Sequence, residues 1–237
     1  MERFLITQSL LYSWNYQFTD FYDVYSDENV EAAIEGSRES FLSALRREKT
    51  PTTEAQQRGL DFEELVVLIT EGKSFEELME IEAARERKRA ESGTAAKRRS
   101  TSITNWEQWY EGANHIAEKV RGGAFQVAIN DTVKAWGMEF VIHGKLDALK
   151  NGTIYDIKSS GRYEYGNYLE SAQHPMYFAL VPEAHTFSYL VYSDKRVFEE
   201  SYRREDTRSI SDIIAEFMEY LEVQGLMSLY REKWLAL

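Results

Sequence analysis

Apolar residues in the first half of the chain recur at helical intervals, and from residue 124 onward they alternate. Phe4, Leu5, Leu10, Leu11, Trp14 and Phe18 fall partly at three- and four-residue spacing, which predicts a helix over 1–18 with Thr7 or Ser9 as its cap. Val30, Ile34, Phe41, Leu42 and Leu45 make the apolar stripe of a helix over 27–47, and Arg46, Arg47 and Lys49 stand at the end where the helix dipole favours cations. Leu65, Val66, Leu68 and Ile69 predict a helix over 54–70 that stops at Gly72. Ser74 with Glu77 three residues on forms a capping box for a helix over 75–91. Thr104 and Glu107 repeat that signature for a helix over 104–120 ending at Gly122-Gly123, with Trp106, Trp109, Tyr110 and Ile116 as core candidates.

With the change of period come strands. Runs at 125–130, 133–149 and 153–158 predict three antiparallel strands, the first two joined near Asn130-Asp131 and the last two by Asn151-Gly152. Further strands at 185–193 and 196–202, joined by Asp194-Lys195, bring the sheet to about five. Ile213, Ile214, Phe217, Leu221, Leu229 and Trp234 line two amphipathic helices over 209–224 and 226–237, and an exposed residue of that stripe would mark a homo-oligomer interface. The expected fold is α/β: one domain over 1–237, mainly helical over 1–121, a central mixed sheet over 122–203, and helices over 204–237.

The chemistry gathers at the Asn-Gly hairpin. A two-residue turn there sets Lys150 opposite Thr153, Leu149 opposite Ile154, Ala148 opposite Tyr155 and Asp147 opposite Asp156. Two carboxylates facing each other destabilise a hairpin, and a divalent cation between them would remove the conflict. Alternation puts Lys158 on the face of Asp156 and sends Leu146, Tyr155 and Ile157 to the other. Oxygen-rich clusters select hard cations such as Mg²⁺ or Mn²⁺, and a neighbouring ammonium can orient water or stabilise charge on a phosphate. A solvent-facing hairpin with an incidental Asp/Lys pair explains these residues equally well.

Gly144-x-x-Asp147, then Asp156-Ile157-Lys158, then Gln173-x-x-x-Tyr177, preceded by Gly59-Leu60-Asp61-Phe62-Glu63 upstream, resembles the PD-(D/E)XK nuclease superfamily in its RecB-like exonuclease branch. The resemblance covers roughly 55–200. It implies a restriction-endonuclease-like core and a Mg²⁺- or Mn²⁺-dependent deoxyribonuclease of the exonuclease kind, used in DNA end processing or recombination. Asp147 and Asp156 would bind metal, with Glu63 and the backbone carbonyl of Ile157 as further ligands and Glu64 as a rival to Glu63. Lys158 would position the attacking water, while Gln173 and Tyr177 would lie beside the cluster and position DNA. A catalytically idle nuclease fold used for DNA binding or assembly, and an endonuclease or RNase on the same site, stay open. Pro175 belongs in a first turn, so the helix carrying Gln173 and Tyr177 begins near Gln173 or bends there.

Composition narrows the partners. A length of 237 residues with 43% apolar content suits one large core. There is no cysteine, which excludes structural disulfides and Cys-ligated zinc or iron–sulfur centres. No run reaches the roughly 18 apolar residues of a membrane span and no signal peptide opens the chain, so the expectation is a cytoplasmic protein of a bacterial or phage-infected cell. A net charge of −12 argues against a protein that coats nucleic acid. It leaves room for a nuclease with a local basic contact to DNA. Lys97, Arg98 and Arg99 in the most basic stretch, and Arg162 among Tyr163, Tyr165 and Tyr168, are the candidates for that contact; each also reads as an ordinary solvated or packed loop. A recombination protein is the expected protein partner.

Overall fold

The computed structural model describes residues 2–20, 27–91 and 103–236. The elements run β1 (Arg3–Thr7), α1 (Gln8–Tyr16), α2 (Asp27–Leu45), α3 (Glu54–Thr70), α4 (Phe75–Glu91), α5 (Ile103–Val120), β2 (Ala124–Ala135), β3 (Met138–Lys150), β4 (Thr153–Ser159), α6 (Gln173–Leu180), β5 (Thr186–Ser193), β6 (Arg196–Arg203), α7 (Ile210–Val223) and α8 (Met227–Lys233). Together they form an α/β fold: a mixed, open sheet flanked by helices, with six strands among the described residues.

Local signals account for most boundaries. Asn151 and Gly152 both take positive φ, 50° and 73°, and close the β3–β4 hairpin in the expected register. Asp194 and Lys195 do the same for β5 and β6 at 48° and 60°. Thr53 and Gln56 form a capping box for α3, and the Ser74–Glu77 box opens α4.

Three expectations are corrected. Residues 3–7 are a strand, because Phe4 and Ile6 alternate inward as β1 runs parallel to β3; only the part of 1–18 beyond Thr7 is helical. Thr7 does cap that helix, its Oγ1 accepting from Leu10 N–H at 3.3 Å, and the extra strand raises the sheet from about five to six. The turn between β2 and β3 lies at Trp136-Gly137, with φ of 49° and 73°, and pairing runs unbroken through Asn130-Asp131. A two-residue turn of this kind needs left-handed backbone at both positions, for which glycine is suited.

Two cores fill the two faces of the sheet. Phe187, Tyr189 and Val191 of β5 join α1, α2, α6 and α7 in the first, while Leu190 and Tyr192 join α3 and α5 in the second. A strand buried on both faces reads as a continuous apolar run, as β5 does from Tyr189 to Tyr192.

Gly112 in α5 marks how closely the second layer packs: a Cβ there would fall 2.4 Å from two ring carbons of Tyr192. Tyr192 stacks on Phe62 at 4.9 Å and donates its hydroxyl to the Gln108 carbonyl at 3.2 Å, so it has little room to withdraw. Alanine gains about 1 kcal/mol in helix propensity, and overpacking costs about 1–3 kcal/mol. Gly112→Ala is therefore expected to lower the urea midpoint, and a midpoint at or above wild type would show that helix and sheet are not in this contact.

Candidate active site

A strand has only two edges, and β3 has three partners. β2 occupies one edge along almost the full length. β1 pairs with 139–143 and β4 with 148–150, so these two share the other edge and leave a gap at 144–147. Side chains fill it. The Tyr177 hydroxyl donates to the Lys145 carbonyl at 2.9 Å and accepts from the Lys145 N–H at 3.3 Å, which satisfies the open edge. Gly144 permits that approach, since a Cβ there would meet Leu180 at 2.7 Å and the Tyr177 ring at 3.1 Å. Asp147 closes the other end, its Oδ2 accepting from the Ile157 N–H at 2.8 Å.

The strand period also breaks here. Phe140, Ile142 and Leu146 belong to the first core, yet Ala148 belongs to the second and Leu149 returns to the first. On β2, Phe125 packs with the second core while Val127 and Ile129 pack with the first. Between them Gln126 holds φ at 55°. Leu146 is thus not on the face of Tyr155 and Ile157, as strict alternation predicts, but packs in the first core with Ile154. Asp147 and Asp156 likewise do not form a ladder pair, because pairing ends at Ala148 and Tyr155.

Residues from both helical layers meet at this break. Asp156 and Lys158 lie on the first-core face of β4, with the Lys158 Nζ 2.8 Å from Asp156 Oδ2. Gln173, the first residue of α6, donates from Nε2 to Asp156 Oδ1 at 2.5 Å, and Pro175 sits harmlessly in the first turn. Glu63 comes from α3 in the opposite layer, where its Oε1 accepts from Gln126 Nε2 at 2.6 Å. Its neighbour Glu64 is held by the two terminal guanidinium nitrogens of Arg85, which lies over the Trp106 ring. Of the two acids, Glu63 is the one whose charge acts on Asp147.

Crowding sets the electrostatics. Burial, then the charges of Asp156 and Glu63, hold Asp147 well above the usual carboxylate range, against the pull of the Ile157 N–H and Lys158. Burial alone would depress the Lys158 ammonium, but the charge and contact of Asp156 more than reverse it, so its pKa is raised and it stays protonated at neutral pH. Burial and then Asp156 push the Tyr177 phenol up to about 12, which keeps it a donor.

The tyrosine loop is largely packed. Tyr168 stacks on Tyr189 at 4.1 Å and Tyr163 lies against Phe198 at 5.0 Å; Tyr165 is exposed. Arg162 is exposed and ion-paired with Glu164. Lys97, Arg98 and Arg99 lie outside the described residues. Two residues escaped the sequence reading. Glu200, buried in β6, accepts from the Tyr163 and Tyr202 hydroxyls and from the N–H groups of Gly166 and Tyr168, and so ties down the loop that leads to Gln173. An acid in an otherwise alternating strand was its only signal. Gln126 carried none, because its backbone conformation is not written in residue type.

Among the described residues no three acid or histidine side chains already stand as a metal-holding group. Asp156, Asp147 and Glu63 spend oxygens on Lys158 and Gln173, on Ile157 and on Gln126. The donor set nevertheless fits a hard cation, since like charge crowds Asp147 from two sides and every candidate side-chain donor is an oxygen.

No family model matches the chain, and no curated protein does. It is similar to a solved structure described as "Crystal structure of SSO0001", with 15% identity and a TM-score of 0.40 over 79% of this chain and 86% of that one, a likeness too distant to bear on the fold. Among the described residues no helix is long and apolar enough to cross a membrane.

A carboxyl with a raised folded pKa binds more protons folded than unfolded, so the stability it contributes falls as pH rises from about 4 through the raised value. Asn at 147 keeps an acceptor for the Ile157 N–H and removes the charge. In EDTA at neutral pH, Asp147→Asn is expected to raise Tm by ~2–4 °C, the shift about 1 kcal/mol produces at this size. The gain should fade toward pH 4. An equal Tm at every pH would show that Asp147 is not crowded by charge.

Proposed function

We propose that this chain is a divalent-metal-dependent deoxyribonuclease with a PD-(D/E)XK core of the RecB-like kind, acting from DNA ends. The observation that carries the reading is the meeting of Asp147, Asp156 and Lys158 with Glu63 and Gln173 at the gap in the β3 edge. These residues come from four separate sequence segments and two helical layers. Packing alone has no need to bring three acids together, because each further negative charge raises the cost of the others.

The residues divide the work. Asp147, Asp156 and Glu63 would hold Mg²⁺ or Mn²⁺, with the Ile157 carbonyl as a further oxygen. Bound there, the cation would act as a Lewis acid on the phosphate and make water a better nucleophile. Gln173 fixes the rotation of the Asp156 carboxylate through its 2.5 Å hydrogen bond. The Lys158 ammonium, kept charged by Asp156, is available to stabilise negative charge on the phosphoryl oxygens and to orient the attacking water. Tyr177 acts at one remove, since both its hydrogen bonds go to the backbone of Lys145 and hold the strand that carries Asp147.

Digestion of end-labelled linear DNA and closed circular DNA with Mg²⁺, Mn²⁺ or EDTA tests this. Linear DNA should shorten only with metal, and Asp156→Ala and Lys158→Ala should each cost ~10²-fold or more in rate. Cleaved circles would make the enzyme an endonuclease on the same site. Wild type as inert as both variants on DNA and RNA would defeat the catalytic reading and leave a nuclease fold used for binding or assembly.

A further inference from the structure

We infer that Gln126 is a positioning residue: its left-handed backbone within β2 aims its amide at Glu63 and holds that carboxylate toward Asp147 at the candidate metal centre. The inference rests on the metal-dependent reading above and adds a residue to it.

Where positive φ occurs at other described non-glycine residues, a chain reversal or helix end explains it. Arg47 follows α2, Trp136 and Asn151 are turn residues, and Asp194 and Lys195 close a hairpin. Gln126, at 55°, stands inside a strand of 12 residues. The β2–β3 ladder pairs Phe125 with Ala148 and Val127 with Leu146, and skips Gln126 and Asp147 between them. Glycine would adopt this conformation freely, whereas a side chain there carries strain that persists only when the surroundings impose it.

The surroundings say what the strain achieves. Phe125 faces the second core, so regular alternation would send residue 126 to the first-core face, away from α3. Left-handed backbone instead turns Gln126 toward α3, where Nε2 donates to Glu63 Oε1 at 2.6 Å. The same twist moves Val127 and Ile129 into the first core. One residue thus redirects the strand and orients an acid from the opposite layer. Partners that orient a metal ligand typically change metal affinity ~10–100-fold when removed.

The test is Mn²⁺ affinity of the full chain, read by electron paramagnetic resonance of free Mn²⁺, with Tm measured beside it. Gln126→Gly should leave Tm unchanged or higher, because the strain is relieved, while Mn²⁺ binding weakens ~10–100-fold. Gln126→Asn, which tolerates left-handed backbone but is one methylene too short, should behave likewise. If Gln126 acts through Glu63, the double variant with Glu63→Ala should bind no more weakly than Glu63→Ala alone. Wild-type affinity in Q126G or Q126N, or losses that add in the double variant, would overturn the inference while leaving the metal centre standing. Wild-type protein that takes up no Mn²⁺ would overturn the metal centre and this inference together.

Discussion

β3 cannot be paired along both edges by continuous strands, and the candidate site occupies the interruption. β1 and β4 lie end to end on one edge, so the backbone at 144–147 must find partners among side chains. Tyr177 supplies two of them and Asp147 supplies one to β4 in return. This explains why polar side chains gather at this point of the sheet: the ladder has stopped, and buried backbone groups must be satisfied by other means. Gly144 is required for the same reason, as α6 presses on the strand where the gap opens. Beside the interruption, Glu63 from α3 and Gln173 from α6 approach Asp147 and Asp156 from opposite layers.

Two carboxylates, Glu200 and Asp147, show what distinguishes a structural acid from a candidate ligand. Glu200 accepts from two hydroxyls and two backbone N–H groups, so its charge is matched by donors and it can serve as a fixed post for the loop before α6. Asp147 has one N–H donor and negative neighbours on two sides. Lys158 offsets part of that crowding through Asp156, but one ammonium cannot neutralise three acids. A fold under selection for stability alone has an easy remedy in asparagine or an apolar residue at 147. An acid at 147, where a neutral residue would cost less, is what the proposed metal-dependent reading accounts for.

Much of this was legible in the sequence, for identifiable reasons. Asn151-Gly152 demanded a two-residue turn, and that turn fixed the β3–β4 register; Gly72 and Ser74 marked helix ends by capping chemistry that acts locally. The start of α6 at Gln173 followed from what Pro175 forbids. What alternation could not convey was its own failure. Alternation counted back from the Asn151-Gly152 turn assigns Leu146 to the wrong face, because the period breaks between Leu146 and Ala148, opposite Gln126, and no residue type announces that break. β1 was missed for a related reason: Phe4, Leu5, Leu10 and Leu11 satisfy a helical spacing across a boundary that only the parallel partner strand reveals. Glu63 and Glu64 could not be told apart until Arg85 claimed one of them.

The net charge of −12 is the feature that weighs most against a nucleic-acid substrate, and the site itself suggests how it is met on the nuclease reading. The tyrosines that the sequence offers as a stacking platform are mostly committed to packing, and Arg162 is neutralised by Glu164. Extended phosphate binding therefore has little support on this face among the described residues. A nuclease need not coat its substrate, however; it has to make the potential favourable at one phosphate. The acids that repel a polyanion are the groups that recruit a cation, and a divalent ion added to Lys158 offsets the charge of the three carboxylates, which removes the local repulsion where the phosphate must sit. On this view the acidic exterior and the acidic site are separate matters. The first limits non-specific binding to DNA, and the second makes productive binding depend on metal.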